Sequence, residues 1–451
     1  MRLPEGFKEL ISEQFPSEIS EQLMDSLMSK VSGRHAVFHK MTPDEWMSSV
    51  PHLLEFTKNP RVAGGVFFSE GYMFSHCPGY YSGLYYPQEA SASEVVSLLP
   101  DNLNLVLDLC AAPGGKSIQL SQKLSFGGCL ISNELLPKRA KILSQNLERA
   151  GVQHRVLMSN KAEELNSIFG PIFDAVLVDA PCSGEGMFRK DPDTVEEWSL
   201  KQVKICVDRQ KEILSAAAGL VAAGGYLLYS TCTFNRDENE GQMEMFLASH
   251  PEFQMVSMIR LWPFEVPGEG HFACLLRRRD AFLSPAFEPQ KNEKAKTCFD
   301  LPSVVQEFLL PTGSFEQGRD GFWFYPHAIK KHLPFSKAQR VCYEPGIRIF
   351  DSLSKPGFTH ALSLILPPGV WPEALHISDD QLFSFLRGET LNTDLSPGVK
   401  QVLWENLPLG FGKQIPSRLQ NMIPKGLRTF VPRTNLPARP NVQVLSQTQN
   451  P

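Results

Sequence analysis

The chain carries no excess of positive charge with which it could bind a polyanion. Its 44 lysines and arginines stand against 49 aspartates and glutamates, which gives the 451 residues a formal net charge of -5. Proteins that hold nucleic acid by bulk charge alone carry a strongly basic surface, so this composition excludes that mode of binding. A local basic groove is compatible with it, and residues 401–440 contain six lysines or arginines and one glutamate. This stretch is either a nucleic-acid contact or an ordinary solvated surface.

Long apolar runs, a secretory signal and paired cysteine motifs are also missing. No stretch reaches the roughly 18 consecutive apolar residues of a membrane-spanning helix, and the first residues do not join a basic start to an apolar segment. The nine cysteines include no C-x-x-C pair, which argues against a zinc ribbon or a disulfide framework. His35 and His39 lack the glutamate of a zinc-binding H-E-x-x-H motif. We therefore expect a cytoplasmic protein with reduced thiols, no membrane association and no metal.

Short apolar runs and helical patterns alternate through the middle of the chain. Amphipathic or alanine-rich stretches at 137–151 and 207–224 predict helices between the runs. Buried strands that alternate with helices are typical of a doubly wound α/β sheet, which is the fold class we predict. The five runs lie at 105–109, 128–135, 155–160, 173–181 and 224–234.

A glycine-containing loop follows the first predicted strand. It runs from Asp108 to Lys116 and contains Gly114 and Gly115, which let the backbone approach a ligand closely. The loop lacks the first glycine of a Walker A motif. Glu134 follows the second predicted strand about 20 residues later, where an acid can bind ribose hydroxyls. Together the loop and the acid indicate a cofactor that contains a nucleoside; the alternative is an ordinary tight turn beside an exposed glutamate.

Two cysteines follow two neighbouring predicted strands. Cys182 comes after the fourth strand and Cys232 after the fifth, each among glycine, serine or threonine residues. A single cysteine beside a buried run is usually a small core residue. Two cysteines at matching strand ends favour a thiolate nucleophile with a neighbouring acid.

Taken together, these motifs resemble those of the RNA cytosine-C5 methyltransferases of the NOL/NOP/Sun family, most like the bacterial RsmF type. The resemblance spans roughly residues 1–280, and the segment at 408–428 resembles the PUA-like end of the same enzymes. The matching segments are CAAPGGK (110–116), NELLPKRAKILSQNLER (133–149), DAPCSGEGMFRKD (179–191), CVDRQKEIL (206–214), YSTCTFNRDENE (229–240), GLYYPQEASAS (83–93) and GEGHFACLL (268–276).

The resemblance implies a Rossmann-like class I methyltransferase domain that depends on S-adenosylmethionine. It also implies an N-terminal α+β subdomain and a small β-rich PUA-like module at the C-terminus, both of which bind RNA. The expected divisions are an N-terminal subdomain at 1–100, a catalytic domain at 101–282, a linker at 283–302, a PUA-like region at 303–436 and a disordered tail at 437–451.

The same resemblance implies a role for each catalytic residue. Cys232 is the expected nucleophile, which adds to carbon 6 of cytosine, and Cys182 helps to resolve that adduct. Asp179 is expected to bind the N3/N4 edge of the base and to lie beside the cofactor. Lys190 is expected near the base or its phosphate.

The resemblance also implies the cofactor residues. Glu134 is expected at the ribose, with Arg139 as a secondary candidate. The third strand ends in Ser159, Asn160 and Lys161 without a carboxylate, so no residue is assigned to the adenine. The loop that would hold the methionine portion consists of Cys110, Ala111, Ala112, Pro113, Gly114, Gly115 and Lys116.

The expected substrate is 16S small-subunit rRNA near the decoding region, methylated by a monomer. One alternative is the same chemistry on tRNA. Another is a non-catalytic RNA-binding assembly factor, although both cysteines and the glycine loop are intact. A DNA cytosine-C5 methyltransferase would use the cysteine of its Pro-Cys motif as nucleophile, and the second site at Cys232 argues against it.

Overall fold

A computed structural model describes residues 3–29, 34–49, 56–69, 71–279, 301–350 and 357–429. Most of the predicted linker and all of the predicted tail lie outside these residues. No helix within them is long and apolar enough to cross a membrane. Four single-turn 3₁₀ helices in the described residues lie at Phe74–His76, Val95–Leu98, Glu185–Met187 and Lys425–Leu427.

The N-terminal region contains two helices followed by a small antiparallel sheet. The four strands of that sheet lie in the order β2-β3-β1-β4. The elements are α1 (Phe7–Gln14), α2 (Ser17–Met28), β1 (Arg34–Phe38), α3 (Pro43–Ser49), β2 (Phe56–Lys58), β3 (Gly65–Phe68), α4 (Pro78–Tyr81), β4 (Tyr85–Pro87) and α5 (Ala90–Glu94).

The central region alternates strands and helices, as the sequence predicts. Its elements are β5 (Leu103–Asp108), α6 (Gly115–Ser121), β6 (Leu124–Asn133), α7 (Pro137–Ala150), β7 (Arg155–Met158), α8 (Ala162–Phe169), β8 (Phe173–Asp179), α9 (Pro192–Glu197), α10 (Leu200–Ala218), β9 (Val221–Thr231), α11 (Glu240–Ser249), β10 (Phe253–Leu261) and β11 (His271–Arg278).

The helix predicted at 207–224 extends too far. The observed helix α10 ends at Ala218, and β9 begins at Val221. Val221 pairs with Phe173 of β8 and is completely buried. Strand pairing inside the sheet therefore overrides the helical preference of the alanine-rich segment, since helix propensity is worth only tenths of a kcal/mol per residue.

The C-terminal region forms two further small sheets and contributes one strand to the main sheet. The strand orders of the small sheets are β12-β13-β15 and β16-β18-β19-β20-β17. The elements are α12 (Ser303–Leu309), β12 (Gly313–Gln317), β13 (Phe322–Pro326), α13 (His327–Lys330), α14 (Phe335–Val341), β14 (Cys342–Glu344), β15 (Ile347–Phe350), α15 (His360–Ile365), β16 (Ala374–His376), α16 (Asp379–Leu386), β17 (Leu391–Asn392), β18 (Gly398–Trp404), β19 (Leu407–Ile415) and β20 (Arg418–Asn421).

The main sheet has eight strands in the order β10-β11-β9-β8-β5-β6-β7-β14. Strands β5 to β9 are parallel, whereas β10, β11 and β14 are antiparallel additions at the two edges. The sheet is therefore the predicted α/β fold with mixed edges. Because β14 lies within 303–436, part of the expected C-terminal region belongs to the sheet of the catalytic domain, and the predicted boundaries do not anticipate this.

The first 100 residues do not share a single core either. Helices α1 and α2 pack against the loops that follow β8 and β9, where Phe7 meets Phe188 and Trp198 edge to face with ring centroids 5.2 and 5.6 Å apart. Such aromatic pairs contribute about 0.5–1.5 kcal/mol each beyond their buried area. The N-terminal helices thus support the edge of the sheet at which the predicted site residues lie.

Candidate active site

Residues predicted for the site follow four neighbouring parallel strands at one edge of the main sheet. Asp108 ends β5, Glu134 follows β6, Asp179 ends β8 and Cys232 follows β9. The chain runs from β5 outward to β7 on one side and from β8 to β9 on the other, so the strand order reverses between β5 and β8. Open α/β sheets bind their ligands in the crevice outside such a point. The fold therefore directs the predicted residues to a single crevice.

The two predicted catalytic cysteines lie in contact. Cys182 Sγ and Cys232 Sγ are 3.4 Å apart, far longer than the ~2.05 Å of a disulfide bond, so both are free thiols. The hydrogen bond to Cys232 and burial raise the pKa of the Cys182 thiol well above its ordinary value. Cys182 therefore keeps its proton at neutral pH, and either thiol can be the donor in its contact with Cys232.

Glu185 joins the two cysteine loops from the Cys182 side. Its carboxylate is fully buried and accepts hydrogen bonds from the backbone N–H groups of Phe234 and Asn235 at 2.6 and 2.9 Å. The indole N–H of Trp198 donates to the other oxygen at 3.2 Å. A side chain three residues after Cys182 thus holds the backbone just after Cys232.

Glu238 makes the reciprocal connection from the Cys232 side. Its buried carboxylate accepts hydrogen bonds from the backbone N–H of Ser183 at 2.9 Å and from the side-chain amide of Gln210 at 2.8 Å. Ser183 and Thr233 also hydrogen-bond through their hydroxyls at 2.8 Å. We call Glu185 and Glu238 the carboxylate clasp, because together they fix the separation of the two sulfurs.

Asp179 is a charged group beside the thiols. Lys116 Nζ donates to its Oδ2 at 2.9 Å, Ser230 Oγ donates to its Oδ1 at 2.7 Å, and His271 Nε2 lies 3.8 Å from Oδ1. Burial raises the pKa of Asp179, but Lys116 and His271 outweigh burial and hold the pKa below its ordinary value. Asp179 is therefore a carboxylate over the whole neutral range. The sequence predicts Lys116 at the cofactor, and its ammonium pairs with Asp179, which the sequence also predicts beside the cofactor.

The glycine loop is held to the acid that follows β6. Arg139 donates to the carbonyl oxygen of Ala112 at 2.8 Å and pairs with Glu134 at 3.0 Å, so one guanidinium fixes both. Gly114 has a φ of 114°, and a β-carbon there would lie 3.0 Å from the side chain of Leu143. Only glycine adopts this backbone without strain. The loop and Glu134 form one preorganised wall of the crevice.

Asn160, to which the sequence assigns no role, lies at the end of β7 and completes that wall. Its backbone N–H donates to Asn133 Oδ1 at 3.0 Å, and its amide nitrogen donates to Glu164 at 3.1 Å. Its Oδ1 is buried and has no hydrogen-bond partner among the described residues. A buried amide oxygen without a partner is costly unless a ligand donates to it.

Lys190 lies at the rim. It is half exposed, and its Nζ is 3.7 Å from the carboxylate of Glu269. Its neighbour Arg189 is almost completely buried and forms an ion pair with Glu269 at 2.6 Å. The sequence motif gives no reason to select Arg189 as a site residue. The role of Lys190 near the base stays a prediction, and the sequence does not identify the buried Arg189–Glu269 pair that anchors its loop.

Comparison with known proteins decides the family. The model for 16S rRNA methyltransferase RsmB/F matches residues 95–268, and the model for the methyltransferase RsmF PUA domain matches residues 372–429. Ribosomal RNA small subunit methyltransferase F of Shewanella piezotolerans is 31% identical over 388 residues, which span 76% of this chain and 79% of the relative. The chain belongs to the RsmF family of methyltransferases. The Shewanella baltica member is 28% identical over 480 residues, which span 95% of this chain and 97% of the relative.

Solved structures agree on the fold of this methyltransferase. NSun6 from Pyrococcus horikoshii has a TM-score of 0.54 at 18% identity and covers 61% of this chain and 98% of its own. A methyltransferase homolog protein from the same organism has a TM-score of 0.52 at 23% identity and covers 59% of this chain and 92% of its own. At these identities the likeness establishes a Rossmann-like methyltransferase fold.

S-adenosylmethionine is the cofactor of this methyltransferase family, and the crevice fits it. A loop whose backbone can approach a ligand closely, a buried carboxylate at Glu134 and the partnerless oxygen of Asn160 are suited to the amino acid, the ribose and the exocyclic amine of the adenine. The sequence gives no indication that Asn160 Oδ1 is buried without a hydrogen-bond partner among the described residues, and only the structure shows it.

Proposed function

We propose that the protein methylates carbon 5 of cytosine in 16S rRNA, near the decoding region, through a covalent adduct with Cys232. The observation that carries this proposal is the contact of two free thiols 3.4 Å apart, at the edge of the sheet that also holds the half-buried ion pair of Asp179 and Lys116. S-adenosylmethionine supplies the methyl group. The protein must therefore make carbon 5 nucleophilic, hold the base and remove the carbon-5 proton.

Cys232 is the proposed nucleophile. Its thiolate adds to carbon 6, which turns the base into an enamine whose carbon 5 can take the methyl group. Cys182 favours this step because its protonated thiol hydrogen-bonds to the sulfur of Cys232. Lys116, which is paired with Asp179, adds positive charge near the same sulfur.

Cys182 is then suited to remove the carbon-5 proton. The bond to Cys232 is the largest cause of its raised pKa, and that interaction weakens once Cys232 is bonded to carbon 6. The pKa of Cys182 falls at the stage when a base is needed, so Cys182 releases its own proton to water and its thiolate then accepts the proton of carbon 5. Proton loss from carbon 5 re-forms the double bond between carbons 5 and 6, and Cys232 leaves as the thiolate.

Asp179 is proposed to bind the N3/N4 edge of the base. Its charge is fixed by Lys116 and Ser230, and its side chain remains about one-third exposed toward the crevice. A preorganised carboxylate stabilises the positive character that develops on this edge during attack. The glycine loop, Glu134 and Arg139 are proposed to hold the cofactor, as the sequence predicts.

The choice of rRNA rests on the named relatives and on the segment that matches an RsmF PUA domain. We propose that the protein acts as a monomer in the cytoplasm, and that Lys190 and the basic C-terminal module hold the RNA. A cytosine in folded RNA must leave its stack to reach half-buried thiols, so unstacked or flexible sites are favoured.

The test is transfer of labelled methyl groups to 16S rRNA by wild type, Cys232→Ala and Cys182→Ala, with a denaturing gel of each reaction. We expect transfer to cytosine carbon 5 by wild type, loss of at least about 10³-fold in Cys232→Ala, and an RNA–protein adduct that accumulates in Cys182→Ala. Free rRNA, assembled small subunits and tRNA serve as parallel substrates.

Each alternative has its own outcome. Transfer by Cys232→Ala but not by Cys182→Ala would exchange the roles of the two cysteines. Activity on tRNA alone would keep the chemistry and overturn the substrate. A Cys129→Ala variant removes a fully buried core thiol of β6 and is the matched control.

A further inference from the structure

A second cavity lies away from the thiols, at the junction between the main sheet and the C-terminal region. Its volume is about 940 Å³, within the ordinary range for small-molecule sites. Glu148 in its wall lies 11 residues along α7 from the helix end that faces the cofactor crevice, or about 16.5 Å along the helix axis. The cavity therefore belongs to neither the cofactor site nor the thiol site. Its walls include Glu148, Arg155, Trp323, Tyr343, Glu344 and Met422.

The floor of this junction cavity is polar and buried. Arg155 is only 3% exposed, and its Nη2 lies 3.6 Å from the carboxylate of Glu344. Its Nε, like the indole N–H of Trp323, is buried without a hydrogen-bond partner among the described residues. Burial raises the pKa of Glu148 to about 7. The floor thus offers partnerless donors beside carboxyl groups, which is costly unless a ligand or water satisfies them.

The rim of the junction cavity presents two arginines, one stacked on an aromatic ring and one exposed to solvent. The guanidinium of Arg348 lies over the ring of Trp323, 4.7 Å from its centroid, and pairs with Asp320. Arg319 is exposed and makes no ion pair with any residue that the structure describes. Tyr343 adds a second, partly exposed ring. Such a rim can stack a planar group and hold a phosphate.

The charges select between ligand classes. Three arginines, at 155, 319 and 348, face three acids, at 148, 320 and 344, so most of the positive charge is offset and the cavity does not favour a simple anion. One nucleotide of RNA presents hydrogen-bond donors and acceptors on one edge of its base, stacks that base on aromatic or guanidinium planes, and carries a single phosphate. The cavity matches all three properties.

We propose that the junction cavity binds one unpaired nucleotide of the RNA substrate, at a distance from the cytosine that is methylated. The base would meet Arg155 and Glu148, and the phosphate would meet Arg319. Met422 belongs to the segment that matches an RsmF PUA domain, so that module contributes to the wall of the cavity. The inference rests on the RNA substrate proposed above.

The test combines photocrosslinking with kinetics on the full chain. Short-wave ultraviolet light is applied to wild-type protein with 16S rRNA transcript, and crosslinked peptides are identified by mass spectrometry. We expect crosslinks at Trp323 or Tyr343. In the double variant Arg319→Ala/Arg348→Ala these crosslinks should be lost, and KM for rRNA should rise about tenfold with unchanged kcat and unchanged KM for the cofactor.

Two controls keep the result interpretable. Lys337→Ala removes an exposed charge from α14 outside the cavity and should change none of these quantities. Arg319→Ala alone alters only an exposed side chain, so it tests the phosphate contact without risk to the fold.

The outcomes separate this inference from the proposed activity. Normal methylation with no crosslink in residues 319–348 and an unchanged KM in the double variant would overturn the cavity proposal alone. Crosslinks at Trp323 without methylation of rRNA would keep the cavity and overturn the proposed activity. Binding of free ribonucleoside monophosphates together with no crosslink between the cavity and rRNA would mean a site for free nucleotides, which also overturns the proposal.

Discussion

At the scale of single residues, the two thiols act as a coupled pair. The hydrogen bond to Cys232 is the largest cause of the raised pKa of Cys182, with burial second. In Cys232→Ser, the hydroxyl is a stronger donor than a thiol and can hydrogen-bond to the Cys182 thiolate, so we expect the pKa of Cys182 to fall and its thiolate to form at lower pH. The measurement is the pH dependence of iodoacetamide alkylation of Cys182, followed by mass spectrometry.

The direction of that shift distinguishes pairing from burial. If burial alone held the proton on Cys182, Cys232→Ser would leave the alkylation profile where it is in wild type. Cys342→Ala, which removes a thiol outside the pair, should leave the profile unchanged in either case.

The sequence predicted both cysteines and Asp179 at this crevice but not the carboxylate clasp. Strand ends can be predicted because apolar runs are local, and parallel strands end at a common edge. Glu185 and Glu238 matter because each accepts hydrogen bonds from the backbone of the other's loop. Such reciprocal contacts depend on how two distant loops meet, which no local pattern encodes.

At the scale of elements, the turn into α6 shapes the cofactor wall. In Gly114→Ala the new β-carbon meets a φ of 114° and the side chain of Leu143 at 3.0 Å, so the loop must move. We expect affinity for S-adenosylmethionine to fall at least about tenfold, measured by equilibrium dialysis. Gly170→Ala carries a comparable backbone penalty at φ 63° with open space around it, and it should leave cofactor affinity intact. Equal losses in both variants would point to general destabilisation.

Strand β14 shows why one part of the fold was not predicted from the sequence. Each of the five parallel strands contains an apolar run that is long enough to be predicted from the sequence. Strand β14 has three residues, Cys342–Glu344, and joins the sheet because Cys342 and Glu344 pair with Met158 and Leu157 of β7. A strand this short has no periodicity to detect, so the sequence assigned it to the C-terminal region.

At the scale of the whole molecule, the N-terminal sheet and the C-terminal module share one hydrophobic core. Trp46 and Trp404 are both buried, with ring centroids 6.2 Å apart, and the indole N–H of Trp404 donates to Asp379 at 2.8 Å. These regions are more than 300 residues apart in the sequence, so the catalytic domain lies between two ends of the chain that pack on each other. The two expected RNA-binding regions are thereby joined into one body.

The consequence is that damage to one end should loosen the other. In Trp404→Ala we expect a loss of about 3–5 kcal/mol in the free energy of unfolding, because a large ring is removed from a closed core. Hydrogen exchange should then speed up in β1 and β3 as well as in β18 and β19, while β5 and β8 remain protected. Exchange that rises only in β18 and β19 would contradict a shared core. Phe126→Ala, which truncates a ring that is 74% exposed, should change none of these rates. A common response of both ends would mean that RNA meets a single rigid surface built around the catalytic crevice.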